Sequence, residues 1–177
     1  MCYIFIIMVE RFLINSLSNN AQNFAIRWKD KIRQIDHLKH YNALSDMELI
    51  NMNSPIYPLM ARRFEQELEL SELGNFFINQ GKDRMRRNFA ISETIYGISL
   101  SERTVIEYIM DNFVHDEPFK MYATMGVVTQ VADFFLLGCF YIIKGFLEET
   151  CIHMSTHSEV PKEILKKYFR DDFFEDS

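Results

Sequence analysis

The stretch that decides the fold is LGNFFINQGKDRMRRNFAISETIYGISLSERTVIEYIMDN, residues 73–112. Its second half, from Ile91, repeats apolar residues every three or four positions, which is the period of an amphipathic helix. The first half belongs to a helix that begins near Ser71, a residue type that caps helix N-termini, and ends near Arg87. Alternating β-branched runs with tight glycine turns are absent from the sequence, so no sheet competes. We therefore predict an all-α fold.

Cap residues and prolines divide the rest of the chain into further helices. Proline suits the first turn of a helix, where its missing N–H is not needed, and Ser45 with Glu48 forms a capping box. Besides 71–87 and 91–113, the predicted helices are 9–37 with a possible interruption at 16–20, a short helix from Ser45, 54–68, 118–151 and 161–169. No repeat, linker or low-complexity block marks a boundary. Residues 1–177 are therefore predicted to form a single helical bundle of about six helices.

The predicted helix 118–151 is apolar on nearly every face. Such a helix is either buried all round or spans a membrane. Gln130, Asp133 and Lys144 interrupt the apolar run, so we predict a central helix of the bundle and no transmembrane segment. Asp133 is then a buried acid, and we expect its partner to be Arg103 or a residue of the basic run 84–87 on a neighbouring helix.

The two ends of the chain differ from its middle. Residues 1–8, MCYIFIIM, are apolar but too few to span a bilayer. Either they extend the first helix, or translation starts at Met8. Residues 170–177 form an acidic, aromatic tail.

Charge and composition exclude several classes of protein. The formal net charge is −6, whereas nucleic-acid binding needs a basic face, so we expect no nucleic-acid partner. The basic run Lys82, Arg84, Arg86 and Arg87 is most simply a solvated helix end. Three widely spaced cysteines argue against a disulfide framework and favour a cytoplasmic protein.

No pattern in the chain indicates catalysis, a metal or a cofactor. Phosphate-binding glycine loops, nucleophile elbows and Cys–His pairs are absent, and glycine is rare, so we predict that the protein is not an enzyme. His153 and His157 have the spacing of a helical metal pair but no nearby glutamate completes it. We therefore predict neither a metal site nor a bound cofactor.

The helix 91–113 carries most of the candidate interaction residues. Its apolar stripe is Ile91, Ile95, Ile98, Val105, Ile106, Ile109 and Phe113, and Glu102 falls in the middle of it. That carboxyl must find a cation, stay protonated or reach water, and we expect it to reach water. Glu93, Tyr96 and Arg103 lie on the other side of the helix. Arg103 can clamp a carboxylate from Glu93, Glu107 or Asp133, and we expect a structural role for that pair.

The same segment resembles a known family. The resemblance lies in Gly81–Arg84, Ile91-Ser92-Glu93, Ile95-Tyr96-Gly97, Leu100-Ser101, Arg103, Val105-Ile106 and Ile109, and more weakly in Phe140-Tyr141 and Lys144-Gly145-Phe146-Leu147-Glu148-Glu149. These residues look like the helical N-terminal domain of the RsbRD-type RsbT co-antagonists of bacterial signalling. The family usually carries a basic residue at the position of Glu102.

The resemblance implies a fold and a function. Domains of this kind are globin-like without haem and precede a STAS or kinase output module, whereas this chain stops after the helical part. A stand-alone regulatory or sensor domain that acts by binding a signalling protein is the expected function.

Two further expectations come from the residues themselves. The 16 phenylalanines can line a pocket inside the bundle, so the alternative function is a sensor for an apolar small molecule. The apolar surface of the long helix is more than one chain of this size can cover, so we also expect a homodimer or higher oligomer, and a parallel pairing of helices would suit signalling.

Overall fold

The chain folds as an all-α bundle in a computed structural model that describes residues 2–113 and 118–157, with side chains described for 6–113, 121–122 and 124–156. Its helices are α1 (Cys2–Asn19), α2 (Ala21–Arg33), α3 (Lys39–Asn42), α4 (Asp46–Asn53), α5 (Ile56–Phe64), α6 (Leu70–Arg86), α7 (Ile91–Phe113) and α8 (Pro118–His157). No strand occurs in the described ranges. The predicted fold class is therefore confirmed. These ranges hold more than the expected six helices because the first helix divides and α3 is a separate turn.

Several predicted boundaries are observed. Helix α7 has the bounds expected from its apolar period, and α8 begins at Pro118. The Ser45 capping box is formed: the Ser45 Oγ accepts the backbone N–H of Glu48 at 3.3 Å, and the Glu48 carboxylate accepts the backbone N–H of Ser45 at 2.9 Å. These features depend on residues that are close together in the sequence, which is why they could be predicted from it.

The first helix is interrupted at Asn20, within the range 16–20 where an interruption was expected, and residues 2–8 continue α1, as one of the two alternatives had it. Other boundaries were predicted wrongly. The second part of the first helix ends at Arg33 rather than at 37. Helix α5 ends at Phe64 rather than at 68, because Gln66 takes a positive φ of 58°. Glu69 precedes α6, so Ser71 lies inside the helix and does not cap it. The predicted helix 161–169 and the tail 170–177 lie outside the described residues.

The interior consists of two hydrophobic clusters. The larger one joins α1, α2, α5, α6, α7 and α8 around Leu13, Tyr57, Phe77 and Phe135, which are fully buried. The smaller one lies between α2, α3, α4 and α7; its members are Trp28, Ile32, Leu38, Tyr41, Leu49, Phe89 and Leu100. Phenylalanine therefore serves mainly as packing material.

Helices α6 and α8 approach each other at glycines. Gly81 lies against the backbone of α8: a Cβ there would be 2.8 Å from the nitrogen of Phe146 and closer still to the carbonyl oxygen of Ile142. At Gly145 a Cβ would be 2.7 Å from the carbonyl carbon of Ile78 and closer still to its oxygen. Because real Cβ atoms do not come this close, only glycine allows the two backbones to touch.

Ion pairs fix the register of the same two helices. Lys82 Nζ lies 2.8 Å from the Glu148 carboxylate, and the Arg86 guanidinium donates to both oxygens of Glu149 at 2.7 and 2.8 Å. Contacts advance in step from Gly74 with Tyr141 to Arg86 with Glu149, so α6 and α8 run in the same direction. The prediction of a solvated basic helix end therefore holds for the exposed Arg86 and Arg87 but not for the whole run, because Lys82 and Arg86 pair with α8 and Arg84 is buried.

Arg84 departs furthest from that prediction. Its side chain is buried, its Nη1 lies 3.1 Å from the Asp83 carboxylate, and its guanidinium lies 5.7 Å from the centre of the Phe89 ring. The Nε has no hydrogen-bond partner within the described part of the chain. Arg84 thus joins the α6 C-terminus to the smaller hydrophobic cluster.

The glycine contact gives a stability prediction. Gly145→Ala should lower the free energy of unfolding by about 2–3 kcal/mol or more, because the added methyl group pushes the α6 backbone away. Gly126 is a matched control on the same helix, since a Cβ there meets nothing within 4 Å. Gly126→Ala should raise stability by up to about 1 kcal/mol through helix propensity. Chemical denaturation of both variants tests the contact, and an equal effect of the two would contradict it.

Candidate functional site

Glu93, a predicted interaction residue, binds another part of the same chain. Its carboxylate accepts the backbone N–H groups of Lys39 and His40 at 3.1 and 3.2 Å, and lies 3.0 Å from the His40 ring nitrogen Nδ1. A carboxylate at these free N–H groups favours the start of α3. Tyr96, one turn further, is partly exposed, and its ring lies 5.6 Å from that of His37. Glu93 therefore has a structural role here.

Arg103 forms a surface ion pair. Of its three predicted partners it contacts Glu107, with a distance of 2.7 Å from Nε to Oε1, and Glu107 also pairs with Lys31 of α2. The Arg103 side chain is 69% exposed. Pairs this exposed contribute at most about 1 kcal/mol. Arg103 thus helps hold α2 on α7 but does not hold the interior together.

Glu102 is half-buried on the face of α7 that approaches α8. Burial raises its pKa, and its carboxylate adds to the burial that raises the pKa of the Cys139 thiol on α8. No hydrogen bond or ion pair of Glu102 is seen with any described residue, so the expected contact with water is the arrangement that satisfies it. Cys139 is held as a thiol, which makes it a poor nucleophile.

Asp133 was predicted to be buried, and this was wrong. It is exposed on α8 and forms no ion pair with Arg103, which pairs with Glu107, or with Arg84, which pairs with Asp83. The prediction failed because α8 is not covered on every side. The face that carries Asp133 points out of the bundle, and apolar residues accompany it there.

We call this face the outward stripe of α8. Five large apolar side chains are exposed along it, with exposed fractions of 77% for Tyr122, 50% for Met125, 71% for Leu136, 60% for Phe140 and 37% for Ile143. At 100° per residue these positions, with Thr129 and Asp133, fall within about 80° of the helix circumference. Gly138 and Gly145, which face α6, lie on the opposite side. The packing on α6 therefore decides which residues of α8 point outward.

A groove of about 660 Å³ adjoins the stripe. Asp133 lies on the outward stripe and also lines the groove. The groove lies between α1, the end of α5 with the residues after it, α6 and α8. Its lining residues are Glu10, Arg63, Phe64, Gln66, Leu73, Gln130, Asp133, Phe134 and Leu137. A hydrogen bond of 2.9 Å from Gln130 Nε2 to Glu10 joins α8 to α1 at its edge. The groove has an apolar floor and a charged rim, and it opens on the surface instead of lying inside the bundle.

A buried polar chain was missed by the sequence reasoning. The indole N–H of Trp28 donates to the carbonyl oxygen of Gly97 at 2.7 Å, and Ser101 donates to the same oxygen at 3.3 Å. Asn53 then donates to Ser101 at 2.7 Å and accepts from the Tyr57 hydroxyl at 2.5 Å. These residues are far apart in sequence, and each alone is a common helix residue. These five residues satisfy one another's polar groups, so the group has a structural role.

Comparison of the chain with protein-family models, curated proteins and solved structures found no match. The resemblance to the co-antagonist domain therefore stays a prediction. Within the described residues, no group of three His, Cys, Asp or Glu side chains could hold a metal ion.

Helix α8 also meets a simple criterion for a membrane span. The stretch Thr124–Thr156 is long and apolar enough, and a third of its most apolar window is buried inside the fold. From the sequence we argued that Gln130, Asp133 and Lys144 exclude a membrane span. The helix meets the criterion in spite of these three residues. Core helices of soluble proteins meet the same criterion, so the absence of a transmembrane segment stays a prediction.

The state of Glu102 can be tested by pH. Because its pKa is raised in the fold, its buried charge costs stability above that pKa, and the cost disappears as the pH falls through it. Glu102→Gln should therefore raise the free energy of unfolding at about pH 7 and change it little near pH 4. Denaturant titrations at both pH values measure this.

Glu107→Gln is the control, with the opposite sign. The hydrogen bond from Lys31 lowers the pKa of Glu107, so its charge stabilises the fold at neutral pH and this gain is lost in acid. Glu107→Gln should destabilise at about pH 7 only. If Glu102→Gln destabilised the protein at neutral pH, the account of its environment would be wrong.

Proposed function

We propose that this protein is a regulatory domain that acts by binding another protein through the outward stripe of α8. The observation that carries the proposal is the exposure of five large apolar side chains in one narrow line on a helix whose opposite side is packed on α6. At roughly 200 Å² for one large side chain, the exposed fractions amount to about 600 Å² of apolar surface. Patches of that size, at the top of the range for monomers, are often interaction sites.

The rest of the molecule favours binding over catalysis. The half-buried acid Glu102 has a neighbouring thiol that burial keeps protonated, and the groove beside the stripe holds no arrangement of nucleophile and base. The resemblance to the co-antagonist N-terminal domain supports a role in bacterial signalling, in the cytoplasm, with a STAS or kinase protein as partner. In this proposal the protein works without metal, cofactor or nucleic acid.

The proposal can be tested by affinity capture from lysate of the source cells, followed by mass spectrometry. The intact chain should retain a STAS or kinase protein, and Leu136→Glu/Phe140→Glu should lose it. Both side chains are exposed, so the double variant should fold normally. Met47→Glu, an equally exposed site on α4, is the matched control. Retention of the same proteins by the wild-type chain and the stripe variant would refute the proposal.

The alternative function is a sensor for an apolar small molecule. The groove supports it, since its volume falls in the usual range for ligand pockets and Phe64, Phe134, Leu73 and Leu137 form an apolar floor. In that case native mass spectrometry of the purified protein should reveal a bound molecule. Leu137→Trp, which fills the groove, should release it, whereas the stripe variant should keep it.

A further inference from the structure

We infer that the outward stripe pairs with the stripe of a second copy of the chain, with the two α8 helices antiparallel and Asp133 of each copy beside Lys144 of the other. The inference rests on the proposed function: the second copy and the signalling protein use the same stripe, so the dimer is the unbound form and the partner replaces one copy. It also differs from the parallel pairing expected from the sequence.

The spacing of the stripe suits a helix partner. Tyr122, Thr129, Leu136 and Ile143 recur every seven residues, and Asp133 and Phe140 form a second seven-residue series beside them. Two such series, three or four residues apart, form the seam of a two-helix pair. The most exposed residues of the central part, Leu136 and Phe140, lie one turn apart and would form its apolar centre.

Asp133 on the stripe and Lys144 at its edge have no charged partner among the residues that the structure describes. Asp133 is exposed and Lys144 half-buried, and neither makes an ion pair or hydrogen bond among the described residues. They cannot reach each other, because eleven residues of helix separate them by about 16 Å. At 100° per residue both lie on the same edge of the stripe, within about 20° of each other. If a second copy of the helix lies antiparallel to the first along this edge, the acid of each copy faces the base of the other.

Only the antiparallel arrangement uses this complementarity. A two-fold axis between antiparallel helices brings the same edge of both copies together, so that residue i of one meets residue j of the other and the reverse. With the axis near residue 138, Asp133 of each copy lies opposite Lys144 of the other, and Leu136 lies opposite Phe140. A parallel pair would instead place this edge against the opposite edge of the partner's stripe, so that Asp133 and Lys144 of the two copies would not meet.

The apolar area that faces the partner is that of a weak dimer. With the axis near residue 138, Leu136, Phe140 and Ile143 lie opposite the partner's stripe, whereas Tyr122 and Met125 lie beyond it. At roughly 200 Å² for one large side chain, the three exposed fractions amount to about 340 Å² per copy and about 700 Å² for the pair, which is in the range of weak, transient contacts. The two symmetry-related ion pairs would lie at the rim of an apolar centre, which is the usual arrangement. Their main effect there is on orientation and specificity.

The test is a charge exchange, followed by sedimentation equilibrium of the full chain. The wild-type protein should be a dimer at tens of micromolar. Asp133→Lys and Lys144→Asp should each raise the dimer dissociation constant about tenfold or more, because each places two like charges opposite each other. The double variant Asp133→Lys/Lys144→Asp restores both pairs and should return the constant to within about threefold of the wild-type value.

Two further variants complete the test. Leu136→Glu/Phe140→Glu should be monomeric, and Met47→Glu should remain a dimer. A monomeric wild type, single charge variants that dimerise normally, or a double variant as weak as the singles would each overturn the antiparallel pairing. A monomer that still captures a signalling protein through its stripe would overturn this inference alone, whereas a dimer that captures none would overturn only the proposed function.

Discussion

The fold depends on the direct contact between the backbones of α6 and α8. Gly81 and Gly145 allow it, and a methyl group at either position would overlap a main-chain carbonyl of the other helix. Two helices that touch in this way cannot rotate about their axes without losing the contact. The contact therefore fixes the inner side of α8 and, with it, the residues that face outward. The Tyr141 ring packs on Gly74 and the Phe77 ring packs on Gly138. The close approach of α6 and α8 therefore continues for about two turns towards the N-terminus of each helix.

Everything else in the bundle supports that arrangement. The ion pairs of Lys82 and Arg86 set the register, and α7 and α1 cover two further sides of α8. The smaller hydrophobic cluster is joined to α7 where Trp28 donates to the Gly97 carbonyl. Its Tyr41 ring occupies the space that a side chain at position 97 would need. Glycine thus allows two kinds of close contact, with a helix backbone at Gly81 and Gly145 and with an aromatic ring at Gly74, Gly97 and Gly138.

The sequence predicted what neighbours along the chain determine. The Ser45 capping box, the start of α8 at Pro118 and the bounds of α7 all follow from patterns within a few residues. It did not predict what depends on distant partners. The basic run 82–87 has the composition of a solvated helix end, and only Glu148 and Glu149, more than sixty residues later, give it another role. Asp133 was assigned to the interior because α8 is apolar all round, and no periodicity shows which apolar face a fold leaves uncovered.

The same limit applies to function. Of the predicted residues, Glu93 and Arg103 bind within the chain, and Asp133 alone lies on the surface that we propose to be functional. The proposal depends most on the exposure of Phe140. In the sequence this residue has apolar neighbours, as a core phenylalanine has, so its exposure could not be predicted.

The glycine contact can be measured directly by NMR. In a sample with labelled glycine, the Hα protons of Gly145 should show a nuclear Overhauser cross-peak to the Hα of Ile78, because the structure places their backbones in contact. The indole proton of Trp28 and the Hα protons of Gly97 should give a reference peak in the same spectrum. Both peaks together would support the account. If the reference peak appeared and no peak joined α6 to α8 at Gly81 or Gly145, the account would be contradicted.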